Sequence, residues 1–393
     1  MGKHTIDELH QWQALPLSVK IRMTKERIRN WINEFGEDGV YVSFSGGKDS
    51  TVLLDLVRKD YPEVKAMFVD VPTQYPELKQ FVMTFKNVDI VKPKISFVEV
   101  CEKYGFPLIS KEVSNCVSGA RKYVKYLDSQ KSNKTILTDR QTVPYACYMA
   151  DLLGIDRRTD KQNEKYKSLQ MGVIPSDSEF RLRRLNGELT DKSGNYSQFN
   201  QEKYKFFLDA PFEISEKCCD VMKKNPAHKY ERETGRKPFV ATMATESSLR
   251  AKKWMQEGCN AFDAKHPHSK PMTFWTEQDV LLYIKENNLP ICSVYGEVVT
   301  DYEAMGQCEN QMSFADFGIF DKERPLLKTT GCQRTGCVLC GFGCHLEKES
   351  RFELLKQTHP KFHNLLYILK NNGVTYAEAI DWVNEHGGFN IKY

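Results

Sequence analysis

Ile21, Ile28, Ile32 and Phe35 recur on one helical face, and Gly36 with Gly39 ends that pattern just before an apolar run. The run, Val40-Tyr41-Val42-Ser43-Phe44, is short, β-branched and aromatic. It predicts a buried strand that passes through a glycine turn into a helix over Ser50 to Val57. Lys65 to Val69 repeats the strand pattern and ends at Asp70, after which Leu78, Phe81, Val82 and Phe85 follow at helical spacing behind Pro76. Val88 to Val91 is a third strand candidate. Strand and helix alternating over short connections predict an α/β fold with a doubly wound, mostly parallel sheet.

From about residue 114 to 205 this rhythm is lost. The stretch is polar and punctuated by Asn186-Gly187 and Ser193-Gly194-Asn195, which reads as a helical insertion. The α/β pattern resumes at Phe239-Val240-Ala241-Thr242 and again at Thr276, a candidate cap for a helix that buries Val280, Tyr283 and Ile284. Beyond Phe314 the texture changes to a loop rich in glycine and cysteine, followed by a helix with Phe362, Leu365, Leu366 and Leu369 on one face. The expected division is a nucleotide-binding domain over 1–310 and a Cys-rich segment with C-terminal helices over 311–393. No internal repeat or low-complexity tract is evident.

With 393 residues and 40% apolar content, the chain can bury one large or two modest cores. A net charge of +4 does not by itself announce a nucleic-acid partner, but its distribution is uneven. Residues 121 to 205 hold 17 lysines and arginines against 11 acidic residues. This is either a solvated face or a basic platform for DNA or RNA. No run reaches the roughly 18 apolar residues of a membrane span, and no apolar signal core follows Met1 to Asp7. The expectation is a cytoplasmic protein without a membrane partner. Twelve cysteines in a reducing compartment then call for metal or redox chemistry rather than disulfides.

Ser45-Gly46-Gly47-Lys48-Asp49-Ser50 stands at the end of the first predicted strand and opens a helix, where backbone N–H groups and the helix dipole favour an anion. The glycines admit phosphate oxygens close to the backbone, the serines add hydroxyls, Lys48 adds charge and Asp49 is placed to hold Mg²⁺. A Walker A loop is excluded, since Asp49 follows Lys48 where that motif requires Ser or Thr.

Cys332, Cys337, Cys340 and Cys344 fall within thirteen residues, interleaved with Gly331, Gly336, Gly341 and Gly343. Such density matches a [4Fe–4S] cluster, which takes four thiolates from a compact loop. A structural zinc site usually draws two pairs from turns farther apart. Zinc, and thiols that are redox-active or unliganded, remain alternatives. Cys147, between Tyr145 and Met149, is either a sulfur carrier or simply buried.

The loop resembles the PP-loop of the ATP-pyrophosphatase and PAPS-reductase superfamily. Asp70 with Tyr75-Pro76-Glu77, Tyr104-Gly105-Phe106-Pro107 and Ser110-Lys111-Glu112 extend the resemblance. So does Thr245-Glu246-Ser247 with Arg250, which is similar to the family's nucleotide loop. Ala241 departs from it, standing where glycine is expected. Cys218-Cys219, ahead of Lys223-Lys224 and Pro226, is similar to the double-cysteine segment of iron–sulfur adenylyl-sulfate reductases. That resemblance makes Cys218 and Cys219 alternative cluster ligands. Cys344-His345 resembles the tail of those reductases more faintly.

A complete ATP-type loop on a reductase-like body with a cysteine cluster resembles the sulfur-incorporating subunit of DNA phosphorothioation systems. The resemblance implies ATP, Mg²⁺ and a [4Fe–4S] cluster as cofactors. It also implies cleavage of ATP to AMP and pyrophosphate, and a sulfur donor such as a cysteine desulfurase. Lys48, Asp49 and Arg250 would be catalytic, with Ser45, Gly46, Gly47, Ser50, Asp70, Glu246 and Ser247 completing the nucleotide site. The basic insertion, with Tyr123, Tyr126, Arg157, Arg158, Arg181, Arg183 and Arg184, would receive a nucleic-acid acceptor. Reduction of an adenylyl sulfate to sulfite is the alternative chemistry. A sulfate adenylyltransferase-like subunit and a non-catalytic iron–sulfur nucleotide sensor are further ones.

Overall fold

The computed structural model describes residues 3–132, 176–302 and 326–393. Cys147, Arg157, Arg158, Phe314, the side chain of Tyr126 and the expected boundary at 310 lie outside the described residues. The chain forms two compact units, each discontinuous in sequence: Met1–Lys94 with Val221–Cys337, and Ile95–Asp220 with Val338–Tyr393. Among the described residues, no helix is long and apolar enough to cross a membrane.

The strands run, in chain order, β1 (Val40–Ser43), β2 (Lys65–Val69), β3 (Val88–Val91), β4 (Leu108–Ile109), β5 (Lys237–Phe239), β6 (Asn260–Ala261) and β7 (His268–Ser269). They are followed by β8 (Val298–Thr300), β9 (Leu327–Thr329) and β10 (Gly341–Phe342).

In the first unit six strands form one sheet in the order β3-β2-β1-β5-β7-β6, parallel except for the β6–β7 pair. The order reverses at β1, whose neighbours are β2, next in the chain, and β5, almost two hundred residues later. Doubly wound sheets bind ligands at such a reversal, beyond the carboxyl ends of the strands. The helix Leu17–Phe35 ends where Gly36, at φ +77°, takes a conformation that disfavours a side chain. Its buried Ile28, Trp31 and Ile32 join Val42, Val52 and Phe239 in a core that also takes in Trp275 and Val280. Thr276 caps the helix Glu277–Glu286 with a capping box to Asp279, as its sequence position implies.

In the second unit, the insertion includes the helices Lys111–Ser132 and Ser176–Leu185. The Gly194 turn, at φ +82°, leads from Thr190 back to its antiparallel bridge partner Tyr196. Several of its basic residues serve the unit's own structure: Arg121 donates to the carbonyls of Ala210 and Phe212, and Arg184 pairs with Glu112. Strands β4 and β10 pair in parallel, and the ring of Phe106 stacks on Tyr376 at 4.6 Å.

The single helix expected through Phe362 and Leu369 is instead a short turn, Pro360–His363, that tightens to a 3₁₀ turn over Asn364–Tyr367. Lys370–Asn371 must pair with Val374–Thr375 across the Asn372-Gly373 turn, so the helix has no length in which to continue. Likewise, the helix begun at Pro76 stops at Val82, and Phe85 lies beyond it, its ring 5.0 Å from those of Phe81 and Phe44.

Candidate nucleotide site

Phe44 still donates to the carbonyl of Met67 at 2.9 Å, and the backbone then leaves the sheet at Ser45. Gly46 sits at φ +74°, a conformation that favours glycine, and a Cβ there would stand a tight 3.1 Å from the carbonyl oxygen of Leu78. Gly47 is the N-cap of the helix Lys48–Asp60. The loop is held by its own serines: Ser45 N donates to Ser50 Oγ at 3.2 Å, the two hydroxyls lie 3.1 Å apart, and Ser50 Oγ donates to Gly47 O at 2.9 Å.

Lys48 is 3% exposed. Its ammonium lies 3.1 Å from Glu277 Oε1 and 3.8 Å from Asp49 Oδ1, and it donates to the carbonyl of Gln333 at 3.1 Å. Its backbone N–H donates to the hydroxyl of Tyr295 at 3.2 Å, and that hydroxyl is 2.6 Å from Thr335 Oγ1. Burial raises the Asp49 carboxyl above the usual carboxylate range; Lys48, Arg334 and Arg250 act against that shift, while Glu277 adds to it. Asp49 Oδ1 and Thr242 Oγ1 are buried and without hydrogen-bond partners. Arg250 pairs with Glu246, and burial, together with the neighbouring Arg334, lowers its pKa. A guanidinium whose charge is disfavoured by a second one nearby makes a place for an anion.

These groups line one cavity of about 710 Å³ in the first unit. Its wall holds Ser45, Gly47, Lys48, Asp49 and Ser50 from the loop, Ala241, Glu246 and Arg250 from the segment after β5, and Lys223. The volume lies within the range of roughly 300–1,000 Å³ typical of small-molecule pockets. Asp70, at the end of β2, pairs with Lys79 at 2.8 Å and Ser247 caps the helix Ser248–Glu257; neither belongs to the cavity wall. Six wall residues were not singled out in the sequence: Met243, Glu277, Gln278, Tyr295, Arg334 and Thr335. A signal existed for the last two, which fall between Cys332 and Cys337.

The thiols divide between the units. Cys332 and Cys337 belong to the first, where Cys332 Sγ lies 3.8 Å from the hydroxyl of Tyr75. Cys218, Cys219, Cys340 and Cys344 belong to the second. There the fully buried hydroxyl of Tyr376 donates to the carbonyls of Pro107 and Leu339. Its pKa is pushed up by burial first and then by the thiols of Cys344, Cys340, Cys101 and Cys218. The adjacent Cys218 and Cys219, and Cys340 with Cys344 four residues on, are thiols of the second unit whose chemistry suits iron–sulfur or zinc ligation.

A parallel sheet that reverses at β1, with a glycine turn and a lysine-bearing helix start over a polar cavity, defines an α/β nucleotide-binding protein of PP-loop type. The family profile described as phosphoadenosine phosphosulfate reductase domain matches residues 39–132 and 179–341, and the chain belongs to that family. Among solved structures, the chain is similar to the phosphoadenylyl-sulfate (PAPS) reductase from Candida auris, solved as a phosphate complex. Identity is 13% over 71% of this chain and 88% of that one, with a TM-score of 0.32. No curated protein matches the sequence.

Proposed function

We propose that the chain is an ATP pyrophosphatase of the PP-loop kind, which activates an acceptor oxygen for replacement by sulfur, as in DNA phosphorothioation. The observation that supports this most is the convergence of Ser45, Gly47, Lys48, Asp49 and Ser50 of the Ser-Gly-Gly-Lys-Asp-Ser loop with Arg250 and Arg334 on one cavity. In this reading the triphosphate lies over Ser45–Ser50 at the helix N-terminus. The acceptor oxygen forms a bond to the α-phosphorus, the bond to the β-phosphate oxygen breaks, and pyrophosphate leaves against Lys48 and the loop N–H groups. Arg250 and Arg334 lower the cost of charge on the α-phosphate. A sulfur nucleophile then displaces AMP.

Asp49 Oδ1, which has no hydrogen-bond partner and faces Lys48 at 3.8 Å, fits a cation, and Mg²⁺ bound there would neutralise phosphate charge. A [4Fe–4S] cluster would draw its thiolates from the Cys-rich segment, with Cys218 and Cys219 as alternative ligands, and would supply redox or sulfur chemistry. Residues 114–205 would receive the nucleic acid, and a cysteine desulfurase or similar donor would supply sulfur.

Reduction of an adenylyl sulfate to sulfite is the second reading, favoured by the family match and by the adjacent Cys218 and Cys219. One assay separates the two: anaerobic protein with Mg²⁺ and either ATP, or an adenylyl sulfate plus a thiol reductant, followed by pyrophosphate and sulfite. Pyrophosphate from ATP, lost in Asp49→Ala, is expected. Sulfite without ATP cleavage would replace this reading with the reductase.

A further inference from the structure

Away from the cavity, the helix Asn225–Thr234 and the turn between β6 and β7 bring two imidazoles and a carboxylate together. His228 and Glu231 stand three residues apart, a spacing that places them on one helix face, with His228 Nδ1 3.0 Å from Glu231 Oε2. His266 approaches from the turn, its ring 5.0 Å from that of His228. One ligand atom from each of the three lies within 4.8 Å of the other two. His268, two residues on, pairs with Glu257 instead. None of the three lines the nucleotide cavity.

The carboxylate is also oriented from behind. The hydroxyl of Tyr41 donates to Glu231 Oε1 at 3.0 Å, and Tyr41, on β1, is 1% exposed and packed edge-on against Tyr230. A ligand fixed by a hydrogen bond from a buried neighbour is a recurring property of metal centres.

We propose that His228, Glu231 and His266 form a binding site for a divalent transition-metal ion of the zinc type, separate from the nucleotide cavity. Two imidazoles and a carboxylate suit zinc, cobalt, nickel and copper, and the same donor set with a water in the fourth position makes open zinc sites. In a tetrahedral site, donor atoms about 2.0–2.2 Å from zinc stand roughly 3.3–3.6 Å apart, so an inward rotation that moves the exposed His266 ring by about an ångström closes the site. The set contains no thiol. Its occupant is therefore spectroscopically distinct from a metal held by cysteines.

The test is a Co²⁺ titration of the full chain, purified anaerobically and followed by visible absorption. Expected are d–d bands from nitrogen and oxygen ligation that disappear in His266→Ala and His228→Ala, and Zn²⁺ should displace the cobalt. Because His266 sits on an exposed turn, far-UV circular dichroism should be unchanged in its variant. Tyr41→Phe keeps all three ligands, and its Co²⁺ affinity should fall by about 10- to 100-fold. A spectrum of sulfur-to-cobalt bands alone, bands that persist in His266→Ala, or no cobalt uptake would overturn the site. Unaltered affinity in Tyr41→Phe would overturn the orienting role of Tyr41.

Discussion

Tyr295→Phe removes one hydroxyl and leaves the ring. That hydroxyl accepts from Lys48 N at 3.2 Å and is hydrogen-bonded to Thr335 Oγ1 at 2.6 Å, while Tyr295 itself is 2% exposed. Leaving the buried N–H of Lys48 unmade costs about 1–3 kcal/mol, and the second bond contributes about 0.5–1.5 kcal/mol. Thr335 is only half-buried and can turn to water, so the expected loss is about 2 kcal/mol. Urea unfolding followed by tryptophan fluorescence reports on the correct unit, because Trp12, Trp31, Trp254 and Trp275 all belong to the first and Trp382 alone to the second. The midpoint should fall with an unchanged slope. ATP affinity should respond differently. A phosphate that takes the Lys48 N–H must displace the hydroxyl in the wild type and need not do so in the variant, so ATP should bind Tyr295→Phe at least as tightly. A stability loss under about 0.5 kcal/mol, or a tenfold weaker Kd for ATP, would refute the reasoning.

Two further outcomes follow from burial. The Lys20–Asp279 pair, at 2.6 Å, is almost fully buried, so Lys20→Met should cost about 3–5 kcal/mol in the same unfolding assay. Lys25→Met, which breaks the exposed 2.7 Å pair with Asp60, should cost less than about 1 kcal/mol. Burial, with Lys253 next in weight, pushes the ammonium of Lys270 down to about 8 from its ordinary 10.5. The cost of burying that charge is full below pH 8 and is relieved as pH rises towards 10.5, because the unfolded chain then binds the extra proton. The Tm advantage of Lys270→Met over the wild type should therefore shrink across that interval, and a constant difference would contradict the assignment.

The strand, phosphate loop and helix from Val40 to Asp60 were legible because every signal there is local: a β-branched run, glycines and a helix start lie in order within twenty residues. The cap at Thr276 was legible for the same reason. Glu277 and Tyr295 carry no mark of their role, since what makes them wall residues is the return of the chain to Lys48 from more than two hundred positions away. Periodicity also misled at Phe362 to Leu369, where the apolar spacing is helical but the hairpin at Asn372-Gly373 claims the following residues.

The strand order has a consequence for the order in which the chain is made. β1 and its loop leave the ribosome early, yet β5, which covers one edge of β1, and Gln333, whose carbonyl receives the Lys48 ammonium 285 positions on, come late. At about 5–20 residues per second that gap is roughly 15–60 s. All of Ile95–Asp220, which belongs to the other unit, is synthesised in between. Until β5 is made, β1 presents an unpaired apolar strand edge, and a chain released before Gln333 carries the loop without the walls that would make it a site.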